Sequence, residues 1–231
     1  MKMDLLLDGE LARWFLDRIA REHVGTIFVV NDEMAQRARA YSTQVFLENA
    51  NDVDAAVSPV ALSVHYPRIL KPRFIARYQK IYNIHPGYLP YGRGFYPVFW
   101  ALWENTPAGA TFHEINAGID EGNIVAQIQV PWTETDTGGS LYARVRDAEK
   151  ILLMDAWAKL TRGETLRAFA QQGSGTYHAR REFLALKQNA AWKNFSAEQL
   201  VKLARCLTFP GYSGLEIELG AQKFQLRLES L

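Results

Sequence analysis

Three side chains have the types and the spacing for proton transfer around a reacting carbonyl: Asn83, His85 and Asp120. Asn83 and His85 fall in Lys80-Ile81-Tyr82-Asn83-Ile84-His85, a run that reads as a strand. Side chains alternate across a strand, so the amide and the imidazole project from one face. Pro86 stops the ladder, which leaves the pair at a strand end, where open parallel sheets place their ligands. Asp120 stands between Gly118 and Gly122 in a loop predicted to join strands 109–115 and 124–130. If that loop folds back over the strand end, the three groups converge. Asn can donate to a developing oxyanion, His can move a proton near neutral pH, and Asp can orient the His or accept from an attacking amine. That is acyl-transfer equipment without a nucleophilic side chain. Each residue alone also has a plainer reading, His85 as a strand cap and Asp120 as a turn former.

The elements that must position them follow from periodicity. Residues 3–7 form an apolar run closed by Asp8-Gly9, and Leu11, Trp14, Phe15 and Ile19 then share a helical stripe. Strand 26–30 follows, with Asp32 as the predicted N-cap of a helix reaching about Tyr41. Residues 60–64 are another buried strand, and His65 ends it; residues 65–72 are a proline-bounded loop leading into a helix. Pro97 opens a helix to Trp103, with Phe99, Trp100 and Trp103 as packing groups. A long helix is expected over 140–160, stopped by Gly163. This alternation predicts an α/β fold with a mostly parallel sheet covered on both faces. Ser196 with Gln199 reads as the cap of a helix ending near Cys206, and residues 215–219 and 223–228 read as a β-hairpin across Gly220-Ala221-Gln222. The expected division is a catalytic domain 1–163, a linker 164–195 around Gly173-Ser174-Gly175, and a small C-terminal unit 196–231. An isolated hairpin is marginal in water, so this one is expected to dock on the body or on a second copy of the chain, forming a homodimer.

Composition excludes several classes. With 26 basic and 25 acidic residues mixed throughout, a formal charge of +1 leaves no nucleic-acid footprint. The single cysteine, Cys206, forms no internal disulfide and reads as a small buried hydrophobe. The opening residues are interrupted by acids and lack a long apolar run, so neither signal peptide nor membrane span is expected, and the location is expected to be cytoplasmic. The G-x-G-x-x-G pattern is absent, which argues against a nicotinamide cofactor.

Asn83-Ile84-His85-Pro86, Leu89-Pro90, Gly92-Arg93-Gly94, Pro97, Trp100-Ala101, Gly109-Ala110-Thr111 and Gly118-Ile119-Asp120-Glu121-Gly122 resemble the folate-dependent formyltransferase family. The chain departs from the family pattern at Gly87, Asn116, Glu121 and Asn123, where Ser, Asp, Thr and Asp are more usual; none of these is a catalytic position. The resemblance implies a Rossmann-like formyltransferase domain with catalytic Asn83, His85 and Asp120. It also implies 10-formyltetrahydrofolate as formyl donor and no metal. It places Tyr66, Arg68, Ile69, Leu70, Asn116, Ala117 and Gly118 on the folate side, and Asp8, Gly9, Lys71, Tyr88, His113, Tyr177, Phe209 and Tyr212 on the acceptor side. Arg68 and Lys71 read equally as surface charge, His113 as an interior hydrogen-bonded ring, and Tyr177, Phe209 and Tyr212 as packing of the tail.

Residues 175–181 and 207–214 look like segments of the sugar-nucleotide N-formyltransferases, where an aromatic can stack a base. The expected activity is therefore N-formylation of a nucleotide-linked amino-deoxysugar, as in O-antigen and lipopolysaccharide synthesis. The first alternative is formylation of glycinamide ribonucleotide or another small amine. The methionyl-tRNA enzymes carry a larger, more basic C-terminal part. A folate or sugar-nucleotide binding protein without activity needs a broken triad, and a metal hydrolase using His85, His113 and Asp120 matches no compact metal spacing.

Overall fold

Alternating apolar runs and amphipathic stretches fold into alternating strands and helices. In chain order these are β1 (Met3–Leu7), α1 (Gly9–Leu16), β2 (Val24–Val29), α2 (Asp32–Ala38), β3 (Val45–Phe46), β4 (Val60–Val64), α3 (Pro72–Ile75), β5 (Lys80–His85), β6 (Arg93–Gly94), α4 (Pro97–Glu104), β7 (Ala108–Glu114), β8 (Ile124–Val130), α5 (Gly138–Thr161), β9 (Tyr177–His178), α6 (Arg180–Gln188), α7 (Ala197–Leu207), β10 (Leu215–Leu219) and β11 (Gln222–Leu226). The structure, a computed structural model, describes residues 1–55, 57–188, 193–212, 214–226 and 228. By internal contacts the chain forms two units. One comprises residues 1–85, 111–127 and 149–171, the other residues 86–110, 128–148 and 172–231.

The first unit carries the sheet, ordered β3-β2-β1-β4-β5-β7-β8; the outer ends of β7 and β8 belong to the second unit. β1 pairs in parallel with β2 and β4, β2 with β3 and β4 with β5, while β5 and β7 are antiparallel. The mostly parallel sheet expected from the βα alternation is present. β1 and β4 are buried along their whole length, as strands covered on both faces must be. Beneath them Leu6, Phe28, Ala61, Phe74, Tyr78 and Ile81 form one cluster. Each large side chain buried there is worth about 1.5–3 kcal/mol.

Two buried polar anchors interrupt this apolar pattern. Asp4, 1% exposed within β1, accepts from Thr26 N at 2.9 Å, Ser58 N at 3.0 Å, Ser58 Oγ at 2.7 Å and the Tyr78 hydroxyl at 3.0 Å. A buried carboxylate is tolerated when its lone pairs are satisfied in this way. Burial, with Asp4 beside it, pushes the Tyr78 phenol above its ordinary range. At the other end of the sheet His65 terminates β4 with φ 56°, and its Nε2 lies 2.6 Å from Oε1 of the fully buried Glu149.

Two helix boundaries differ from the sequence reading. The N-cap of α2 is Asn31, whose side chain accepts from Met34 N at 2.9 Å; Asp32 is the first helical residue. Asn31 carries the same capping oxygen one position earlier. α1 ends at Leu16, so Ile19 lies beyond it, buried by the turn that follows.

In the second unit Arg93 and Gly94 pair in parallel with Tyr177 and His178, a ladder too short to show in the sequence. The Trp100 ring stacks on His178 at 3.7 Å between centroids, and the His178 ring lies between Glu104 and Glu182 at 2.9 and 2.8 Å. Ser196 and Gln199 form the expected capping box of α7. Buried Arg205 donates to the carbonyls of Thr133 and Asp136. The hairpin is present, with β11 starting at Gln222, so that Gly220 (φ 63°) and Ala221 alone make the turn. Arg227, within the expected second strand, lies outside the described residues. The register of β10 on β11 puts Leu215 with Leu226 and Ile217 with Phe224 on one face, and Glu216 with Gln225 and Glu218 with Lys223 on the other. Leu219 and Phe224 are 54% and 45% exposed.

Candidate active site

β5 delivers the first two side chains and β7, running antiparallel to it, delivers a third. Register pairs Asn83 with His113 and His85 with Thr111. Both imidazoles are buried, His85 at 5% and His113 at 1% exposure, and their rings meet edge to face at 6.2 Å. Asp120 comes from the loop between β7 and β8. Its Oδ2 lies 3.6 Å from His85 Nδ1 and its Oδ1 3.6 Å from His113 Nε2. One carboxylate thus faces two rings, and the amide, imidazole and carboxylate singled out from the sequence do converge, all within the first unit.

His113 sets the orientation of Asn83. Burial drives its pKa down from 6.5 to about 4 against the opposing pull of Asp120, so the ring is neutral at physiological pH. Its Nδ1 lies 2.8 Å from the Glu114 carbonyl, which can only accept, so the single ring proton sits there. Nε2 is then an acceptor, and it receives an N–H from Asn83 Nδ2 at 3.2 Å. The amide nitrogen of Asn83 is held with its second N–H available for another acceptor.

The depressed pKa has a stability consequence. Between pH 6.5 and about 4 the unfolded chain binds a proton at this ring that the folded chain does not, so stability falls as pH drops through that window. The loss is on the order of 3 kcal/mol. His113→Gln is expected to flatten this pH slope, read as denaturant midpoint against pH; an unchanged slope contradicts the assignment. At lower pH still, Asp136 adds to the loss, because the Arg144 guanidinium holds its carboxyl well below the usual range.

The loop carrying Asp120 is tightly made. Asp120 itself has φ 53°, Asn116 Oδ1 accepts from Gly118 N at 2.9 Å, and Glu114 N donates to Asn123 O at 2.8 Å. A side chain at Gly122 has no room, because its Cβ lands on the Glu114 carbonyl oxygen. Gly122→Ala is expected to cost about 1–3 kcal/mol of stability, measured by chemical denaturation, with activity falling as the loop shifts. Gln171, absent from the sequence reading, donates Nε2 to the carbonyls of Asp120 at 2.7 Å and Gly122 at 2.9 Å.

Comparison with known proteins fits this arrangement. The formyl transferase family model matches residues 17–157, more than half of the chain. The chain belongs to the formyl transferase family. Among its relatives is the dTDP-4-amino-4,6-dideoxyglucose formyltransferase of Mycobacterium bovis, 34% identical over 93 residues, 40% of each protein. The GDP-perosamine N-formyltransferase of Brucella melitensis is 29% identical over 153 residues, 65% of this chain and 57% of that protein. The matches thus span about half the length of these curated relatives. A solved sugar N-formyltransferase from a Shewanella species superposes with a TM-score of 0.84 at 22% identity, covering 100% of this chain and 98% of that one. That likeness establishes the fold.

The remaining sequence-predicted residues of this member of the formyl transferase family fall into several places. In the first unit, Asp8 occupies the N-cap position of α1 without a capping side-chain hydrogen bond and accepts instead from Asn31 Nδ2 at 3.0 Å, beside Gly9 at φ 76°. The loop after β4 is braced: the Tyr66 hydroxyl accepts from Ala50 N, Asn51 Nδ2 donates to Ile69 O, and Asn51 Oδ1 accepts from Lys71 N. Leu70 is in the core, whereas Arg68 is exposed and Ile69 is 67% exposed. Asn116 and Ala117 open the Asp120 loop. In the second unit Tyr88 packs near Gly109 and Tyr177 lies over Gly94 on β9. Phe209 packs on Gly138 and Tyr142, with Tyr212 next to it, 71% exposed. Among the described residues no cluster of three or more His, Cys, Asp or Glu is placed to hold a metal ion, and no helix is long and apolar enough to cross a membrane.

Proposed function

We propose that this chain transfers a formyl group from 10-formyltetrahydrofolate to the amine of a nucleotide-linked amino-deoxysugar. The observation that carries the chemistry is the convergence of Asn83, His85, His113 and Asp120 at the end of β5. The acceptor class rests on the relatives, whose names give dTDP- and GDP-linked amino sugars. The braced loop 66–71 fits the folate side, because its anchored backbone presents an exposed Ile69 against which a flat ring can pack.

Bound folate supplies an electrophilic formyl carbon. The N–H of Asn83 not engaged by His113 donates to the formyl oxygen as it gains charge in the attack by the neutral amine. His85 and Asp120 form the acid–base pair that removes the amine proton and returns one to the departing nitrogen. Their 3.6 Å separation shortens as the reactants expel water. Asn116, Ala117 and Gly118 border the folate, Arg68 its acidic tail, and Asp8, Gly9 and Lys71 the phosphates of the acceptor. Tyr88, Tyr177, Phe209 and Tyr212 serve the sugar and base.

In this reading residues 1–163 are the catalytic domain, 164–195 a linker and 196–231 an accessory part. The apolar face of the hairpin, with Leu219 and Phe224 exposed, joins two copies into a homodimer. The enzyme works in the cytoplasm on precursors of a surface glycan such as an O-antigen.

Calorimetric titration tests the binding half of the proposal. A stable folate, 5-formyltetrahydrofolate, is expected to bind, and one of dTDP, GDP or UDP to bind the folate-loaded protein. Failure of all three nucleotides to bind overturns the sugar-nucleotide acceptor.

A further inference from the structure

The Asp120 loop must hold a carboxylate against two imidazoles while its own backbone is strained. Asp120 sits in the left-handed region at φ 53°, which a residue with a Cβ keeps only when its surroundings determine it. Two restraints are local: the Glu114 N to Asn123 O bond at 2.8 Å and the close seat of Gly122. The third comes from far along the chain. After α5 the backbone returns to the start of β8, where Ile124 and Phe169 exchange both backbone hydrogen bonds, at 2.8 and 2.9 Å. Two residues later Gln171 reaches the loop, and its one amide nitrogen donates to the carbonyls of both Asp120 and Gly122. A carbonyl only accepts, and only a primary amide or a cation offers two N–H groups at one atom. The Phe169 side chain takes no part in the tether: it is 61% exposed while its backbone is paired.

We propose that Gln171 is a positioning residue for catalysis, gripping the carbonyls of Asp120 and Gly122 so that the Asp120 carboxylate faces His85 and His113. It touches no reacting atom; it acts through Asp120. Its effect on turnover rests on the formyl-transfer reading, whereas its effect on the loop does not.

Two near-isosteric variants separate these effects. Gln171→Met removes both donors, and Gln171→Glu presents a carboxylate that can only accept. Hydrogen–deuterium exchange of the full chain reads the tether without any assay. Exchange is expected to rise in residues 117–123 of both variants and to stay unchanged in β5, which also shows that they fold. Unchanged exchange in that loop overturns the proposal, whatever the activity of the wild type. In the transfer assay both variants are expected to lose about 10²-fold in kcat, the scale of an ångström's misplacement, with the KM values of donor and acceptor unchanged. In an Asp120→Asn background the same substitutions are expected to cost nothing further, because coupled residues are not additive. Full kcat in either variant, or an equal loss with and without Asp120, overturns the positioning role.

Discussion

Replacing His85 with alanine is expected to lower kcat by about 10²–10⁴-fold, the range for loss of a general acid–base group. In the proposed reaction the ring is placed for that role. It ends β5 opposite Thr111, is buried at 5% exposure, and directs Nδ1 at Asp120. The carboxylate stands 3.6 Å from one ring nitrogen, near enough to orient the imidazole once the reactants draw the two together. Alanine leaves the backbone ladder of β5 intact, so thermal unfolding should show a folded protein with little turnover. His85→Asn, which keeps polarity without a titrating group, is expected to be as inactive. A loss below tenfold in either folded variant removes His85 from the chemistry.

Asn83→Ala is expected to cost about 10²–10³-fold in kcat, the scale of one lost oxyanion donor, with smaller changes in KM. Interactions made only in the transition state appear in kcat. In the proposed reaction the amide is the donor, because neutral His113, protonated at Nδ1, takes one of its N–H groups and thereby fixes the direction of the other. Asn83→Asp should do at least as badly, since a carboxylate repels the charge that forms on the formyl oxygen. His113→Gln is expected to produce a weaker version of the same defect by loosening the Asn83 amide. Single-turnover kinetics on folded protein separate these losses from slow product release.

Much of this was legible in the sequence because the relevant signals are local. The period-two spacing of Asn83 and His85, stopped by Pro86, placed both on one face of a strand end. The apolar runs of β1, β2 and β4 announced a buried parallel sheet, and Ser196 with Gln199 announced α7. What stayed hidden depends on partners remote in the chain. Asp4 looks misplaced in Met-Asp-Leu-Leu-Leu until Thr26, Ser58 and Tyr78 are seen to satisfy it. The two-residue strands β3, β6 and β9 are too short for any periodicity. α6, though amphipathic, falls where the small residues before it suggested a linker. Gln171 has no signal of its own, since its role is set by a return of the chain 51 residues after Asp120. His113 was open between site and interior; its register opposite Asn83 is a tertiary fact.

The most direct test is incubation of the purified chain with 10-formyltetrahydrofolate and a panel of amino-deoxysugars linked to dTDP, GDP and UDP. Glycinamide ribonucleotide serves as the competing acceptor, and the formylated product is read by mass. The account predicts product from a nucleotide-linked amino sugar, abolished in Asn83→Ala and His85→Ala. Product from glycinamide ribonucleotide alone, or sugar product undiminished in those two variants, contradicts it.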